Sequence, residues 1–305
     1  MNKEKILLIY PFNGWLNKDL LTEGYNLSYP YFGNCGFLRV IREIHFRYIK
    51  IAQKIWYNKK NNSFNGHIIL NASLITPEYV KWLSKNNPQS KIILLYSNLA
   101  NSKRYNPNKI PDSLCEKWTF DKDDSERYNM HLYEGGMYFP QWVVNKQAPV
   151  YDVFYIGKDK NRLQNLRKIE SDLQTHGART MFYITWSRGW QKKDDGIHKP
   201  FLPYEKVLDY IGKSKAILHL LDGAQKGITL RIQESLIHKV KLITDDSSLV
   251  EYDFYNPHNI FILGKDDLNN LRNFLDTPYE NVQSVFFKHV FFNQMVNDII
   301  SDCLD

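Results

Sequence analysis

Cysteine is scarce, with three in 305 residues, at Cys35, Cys115 and Cys303. The set is odd in number and widely spread, with neither a disulfide framework nor metal-ligand spacing. That excludes a disulfide-stapled secreted scaffold and a zinc module, and it points to a reducing compartment. Long apolar runs are missing as well. The first, in MNKEKILLIYPF, stops at Pro11, too short for a signal peptide or a membrane span. No later run reaches spanning length, so the expected location is the cytoplasm, with room for contact at the inner face of the cell membrane. Solenoid-like short repeats are absent. So is the G-x-G-x-x-G dinucleotide fingerprint, which counts against a sugar epimerase or dehydrogenase.

What remains is ample for folding. Hydrophobic residues make up 43% of the chain, and its length suits two domains of ordinary size. Aromatics reach 14%, most of them expected in the core. The net charge of +7 favours anionic partners, with a solvated lysine-rich surface as the plain alternative.

The pattern along the chain alternates. KILLIY (5–10), HIILNA (67–72), KIILLYSN (91–98) and KWTFD (117–121) are apolar runs of strand length. GFLRVIREIHFRYIKIAQKIWY (36–57) has helical periodicity, and PEYVKWLSKN (77–86) opens with Thr76 at N-cap and Pro77 at N1. The second half repeats the scheme. Strands are expected at 150–157, 178–185, 215–222, 241–244 and 259–263, and helices at 161–177, 203–214, about 229–240 and 282–304. Strands alternating with helices predict parallel sheets. The halves divide near 145–149. This gives a domain at 1–147, a second at 148–280 and a terminal helix at 281–305.

In such sheets ligands gather at the carboxyl ends of strands. Two of these ends carry unusual chemistry. YIGKDKNR offers Gly157 for close backbone approach and the cations Lys158 and Arg162 at the next helix start, where anions are already favoured. It is not a Walker loop. LDGAQKGITLRIQESLIHKVKLITDD (221–246) places Gln225, Gly227 and Thr229 in or before a helix start, with Arg231 and Glu234 in its first turns. An anion site, a sugar site and a merely well-capped helix all fit those residues. Arg231 can fork onto phosphate, and Glu234 can accept two hydrogen bonds from a ribose diol. Thr185 and Trp186, after a third strand, could border a base.

These segments carry a resemblance. SKAILHLLDGAQKGITLRIQESLIHKVKLIT and YDFYNPHNIFIL, with WTFDKDDSERY and FYIGKDKNR, resemble GT-B glycosyltransferases of bacterial capsular, exopolysaccharide and lipopolysaccharide biosynthesis. The similarity covers roughly residues 115–265. It implies an α/β fold of two Rossmann-like domains facing across a cleft, with the C-terminal helix packing back on the N-terminal domain. It also implies transfer of a sugar from a nucleotide-diphosphate donor, a UDP-sugar in the favoured case, to a saccharide or lipid-linked acceptor. Glu234 would then bind the donor ribose, and Gly157, Lys158, Arg162, Gly227, Thr229 and Arg231 would surround the diphosphate. Relatives often carry Asp in the strand before the glutamine loop, where this chain has His219 and then Asp222. No metal cofactor is expected, because fixed cations and helix-start amides can stabilise a leaving diphosphate.

Three further features need a reading. Asp121-x-Asp123 could hold a divalent ion, as in the metal-dependent GT-A alternative, or simply cap the helix expected from about Ser125. Asp19 and Glu23, in the loop after the first strand, are the candidates for a general base toward the acceptor. In the helix 36–57, Phe37, Ile41, Ile44, Tyr48, Ile51 and Ile55 share one face and are expected in the core. Its basic sides, with Arg39, Arg42, Arg47, Lys50 and Lys54 opposed only by Glu43, are expected to face anionic lipid, a lipid-diphosphate acceptor or solvent. Nucleic acid is not an expected partner, since neither a recognition motif nor a stacking platform is present.

Overall fold

The computed structural model describes residues 2–11, 14–49, 51–100, 106–144, 146–187, 195–223 and 227–302. The chain forms two compact units, one from residues 1–133 with 296–305, the other from 134–295.

The first unit is built on strands β1 (Ile6–Ile9), β2 (Asn26–Ser28), β3 (His67–Asn71), β4 (Lys91–Tyr96), β5 (Glu116–Thr119) and β6 (His131–Leu132), and on helices α1 (Asn17–Thr22), α2 (Gly36–Ile44), α3 (Pro77–Asn86) and α4 (Lys122–Tyr128). All six strands are parallel, in the order β2-β1-β3-β4-β5-β6. The central strands β1, β3 and β4 are apolar without alternation because both faces of a parallel sheet are covered there. Ile68, Leu70, Ile92 and Leu94 from the sheet pack with Tyr79, Val80 and Leu83 of α3. That helix keeps its expected span and cap, with the Thr76 hydroxyl accepting from the Tyr79 N–H at 3.3 Å.

The second unit holds β7 (Tyr151–Lys158), α5 (Leu163–Thr175), β8 (Thr180–Thr185), α6 (Tyr204–Gly212), β9 (Ser214–His219), α7 (Leu230–His238), β10 (Lys241–Thr244), β11 (Ile260–Ile262) and α8 (Leu271–Asp276). Its five strands are also all parallel, in the order β11-β10-β9-β7-β8. Val153, Leu218, Ile243 and Phe261 form a core with Leu166, Leu173 and Phe274. Helix α9 (Phe292–Asp302) closes the chain, and from Val296 onward it groups with the first unit. The expected return of the C-terminal helix to the N-terminal half is therefore seen.

Counted within each unit, the strand order is 2-1-3-4-5, extended by a sixth strand in the first unit, and this is one of the two common doubly wound orders. The order reverses between β1 and β3, and again between β7 and β9. The loops leaving those strands diverge to opposite faces, which opens a crevice at the carboxyl ends.

Two helices differ from expectation. The segment 36–57 is not continuous. After α2 it widens into a π-helical stretch, His45–Ile49, and a one-turn 3-10 helix follows at Gln53–Trp56. Ala52 between them sits at φ 53°, left-handed backbone that no α-helix propagates through. The face expected in the core is also turned to solvent: Phe37 is 77% exposed and Tyr48 69%. Its polar side is what anchors the helix. Arg42 is buried and donates to Phe32 O and Asn34 Oδ1, each at 2.8 Å, and Phe46 meets the Tyr31 ring edge-on at 4.9 Å. At the other end, the helix expected over 282–304 is reduced to a 3-10 turn, Val285–Lys288, and α9. Asp253 accepts from the Val285 N–H at 2.9 Å, and the Ser284 hydroxyl accepts from the Phe286 N–H at 3.0 Å. Side-chain partners thus replace the helical ladder there.

Candidate functional site

The residues singled out in the second half cluster at its switch point. Strand β7 ends at Lys158, which pairs in register with Thr185 at the end of β8, and the Thr185 hydroxyl donates to Gly157 O at 3.4 Å. Four residues on, Arg162 reaches across and donates from Nη1 to Leu221 O at 2.8 Å, just beyond β9. Lys160 pairs with Asp222 in the same crossing. The two segments meet because β7 and β9 are neighbours in the sheet although 56 residues apart in sequence, from Lys158 to Ser214. Lys158 points into solvent, whereas Arg162 is half-buried. Gly157 has its own structural reason: a β-carbon there would collide with the Tyr155 hydroxyl.

Helix α7 brings the second set. Gly227 adopts φ 139°, and Thr229 stands at the N-cap. The Thr229 hydroxyl makes no capping bond, and among the described residues it is an enclosed polar atom without a partner. Arg162 Nε is another. Gln225 lies outside the described residues. Glu234 is completely buried, and both its oxygens are engaged. Arg231 pairs with Oε2, and the Tyr204 hydroxyl donates to Oε1 at 2.8 Å. Burial pushes the Glu234 carboxyl above its usual range, with Arg231 and Tyr204 pulling the other way. Burial and the neighbouring carboxylate in turn drive the Tyr204 phenol far up, so it stays protonated as the donor.

The charges of two guanidinium groups bear on one imidazole. His219, at the end of β9, is buried, with Nδ1 at 3.0 Å from Thr244 Oγ1. Its pKa falls to about 3 through burial first, then through Arg231 and Arg162. The same two arginines oppose the burial-raised titration of Tyr155. The crevice therefore holds a neutral histidine, two cations from different segments and an unsatisfied hydroxyl at a helix start. Such an arrangement can neutralise and hydrogen-bond an anion with planar oxygens.

The remaining candidates lie elsewhere. Asp19 is half-buried in α1. Glu23 follows α1 and pairs with Lys3 at 3.3 Å. Asp121 is buried as the N-cap of α4 and accepts from the Asp124 N–H at 3.0 Å, which draws the helix start back to Lys122. Its carboxylate serves the fold, so the Asp121/Asp123 pair is a helix entrance. Among the described residues no three His, Cys, Asp or Glu side chains are grouped to hold a metal ion. Trp186, expected to border a base, has one ring face covered by His198 at 3.7 Å.

Sequence reasoning missed Tyr204, His219 under the charges of two arginines, and Tyr155. Tyr204 starts α6, 30 residues before the carboxylate it holds, and nothing local marks it.

No family model matches the chain, and no curated protein matches it. Solved structures do. A glycosyltransferase from Rickettsia africae superposes with a TM-score of 0.52 at 11% identity, over 99% of this chain and 98% of that one. The chain has the GT-B fold. Fainter likenesses are to spinosyn forosaminyltransferase (TM-score 0.44, 11% identity, 99% of each chain) and to the glycotransferase of kitacinnamycin (TM-score 0.48, 11% identity, 98% of each chain).

Proposed function

We propose that this chain is a glycosyltransferase that moves a sugar from a nucleotide-diphosphate donor, with a UDP-sugar favoured, to a saccharide or lipid-linked acceptor in bacterial surface-polysaccharide synthesis. The observation that carries the reading is the crossing of Arg162 from the β7 loop to Leu221 O beyond β9, at 2.8 Å, next to a helix α7 that opens with the unpartnered Thr229 hydroxyl and Arg231. The fold shared with the Rickettsia glycosyltransferase supports it. Arg162, Lys158 and Arg231 meet the diphosphate, and Gly157, Gly227 and Thr229 shape the backbone around it. Thr185 and Gln225 lie at the border of the donor. Glu234 takes the ribose once Arg231 turns from it to the phosphates, a swap that leaves the carboxylate with Tyr204 alone. Asp19 and Glu23 are the candidate bases on the acceptor side. No metal takes part, because the arginines carry the leaving-group charge. The protein works in the cytoplasm with peripheral contact at the inner face of an anionic membrane; among the described residues no helix is long and apolar enough to cross one.

The test is thermal stabilisation by UDP, GDP and their sugars, with and without EDTA. Stabilisation by UDP that survives EDTA is the expected result. A nucleotide at a hundred times its Kd should contribute about 2.7 kcal/mol. No shift with any nucleotide sinks the proposal, and a shift abolished by EDTA redirects it to a metal-dependent mechanism. Glu234→Gln, which keeps the shape of the side chain, should weaken UDP binding roughly tenfold through the lost charge-assisted bonds to the ribose. Unchanged affinity removes Glu234 from that role.

A further inference from the structure

Residues 36–49 form two contiguous helical segments, α2 and the π-helical stretch, about 21 Å long at an α-helical rise. Phe37, Leu38, Val40, Ile41, Ile44 and Tyr48 are all exposed on them. Beyond, Ile51 is 74% exposed and Ile55 66%. Bare apolar side chains clustered on one helix mark an interaction surface, whereas scattered ones would need no account.

The charges beside the patch say what covers it. A cavity of about 720 Å³ runs along this helix. Val40, Ile44 and Tyr48 line it in one row of four-residue spacing, and Arg39, Glu43 and Arg47 line it in the adjacent row. Glu43 already pairs with Arg42 at 3.2 Å, so the row presents net positive charge. The Arg47 guanidinium lies 5.5 Å over the Tyr48 ring. Lys54 is exposed just beyond. A second copy of the chain would bring rows of like charge together, and the whole chain carries +7. An anionic bilayer meets both halves of the surface, with acyl chains for the apolar face and phosphates for the arginines.

We propose that the helix formed by residues 36–49 lies in the surface of an anionic bilayer, with Phe37, Ile41, Ile44 and Tyr48 inserted at the acyl boundary and Arg39 and Arg47 on lipid phosphates. This rests on the membrane contact in the proposed function and adds its mode: the apolar face inserts, where a basic surface alone would only hover. The donor site takes no part in it.

The test is flotation of the full chain with vesicles of phosphatidylcholine, with and without phosphatidylglycerol. Wild type should float with the anionic vesicles and keep substantial binding in high salt, since insertion is not screened. Phe37→Asp with Ile41→Asp should lower partitioning by roughly tenfold or more per residue, while circular dichroism and the UDP thermal shift stay unchanged because both positions are exposed. Arg39→Glu with Arg47→Glu should remove the preference for phosphatidylglycerol, at roughly fivefold or more per arginine. Three outcomes overturn the proposal: wild type that floats with neither vesicle, an aspartate variant that floats as wild type does, or a lipid-free dimer that the aspartate variant converts to monomer. Loss of the UDP shift with flotation intact strikes the transferase reading instead.

Discussion

At the scale of single residues, the site depends on how buried polar groups satisfy one another. Glu234 is a carboxylate with no access to water, and its position is set by Arg231 on one oxygen and Tyr204 on the other. Removing one partner of such a group costs more than the bond was worth, because the other partner is left desolvated. Tyr204→Phe should therefore destabilise the protein by about 1–3 kcal/mol, read as a lower urea midpoint at unchanged m. A midpoint equal to wild type would mean that Arg231 alone holds the carboxylate. The sequence exposed Arg231 and Glu234 through their spacing on one helix. It could not expose Tyr204, whose partnership exists only because α6 and α7 pack together.

At the scale of elements, local signals worked where the segment's own side chains close its ends. Thr76 and Pro77 open α3, and Asp121 opens α4, each through a side-chain oxygen within three residues. Thr76→Ala should cost about 1 kcal/mol, measurable by chemical denaturation, and a loss below a few tenths would show that Pro77 suffices as the start signal. Local signals failed where distant groups compete for the backbone. Asp253 unwinds the segment before α9, and left-handed Ala52 ends the long helix. Periodicity found the apolar face of 36–49 but assigned it to the core. A repeat fixes which residues share a face, not whether that face turns inward, and here Arg42 and Phe46 took the inward positions.

At the scale of the whole molecule, stability should follow pH through two buried histidines. His219 is held to about 3, by burial ahead of the two arginines, and His238 to about 4 by burial. Both folded values lie below the ordinary value of 6.5. Their contribution is thus fully present above that ordinary value and falls away with pH below it, as the unfolded chain takes up protons that the native state refuses. From neutrality to pH ~5 each histidine should remove about 2 kcal/mol. Urea midpoints of wild type, His219→Gln and His238→Gln at the two pH values isolate the effect from Glu234, whose raised titration acts in the opposite sense. Variants that lose stability on acidification as steeply as wild type would refute the assignment.

The sequence by itself determined the parallel α/β class and the doubling of the scheme, and it singled out the strand ends where cations gather. Those follow from apolar runs, helix punctuation and cations at strand ends, all of which are local. Only the tertiary structure decided that Arg162 meets the β9 loop, that Glu234 is sealed behind Arg231 and Tyr204, and that the apolar face of α2 looks outward. Each of those depends on which strand neighbours which and which side chain reaches a cavity first. Such contacts join residues far apart in the chain, where no spacing rule reaches.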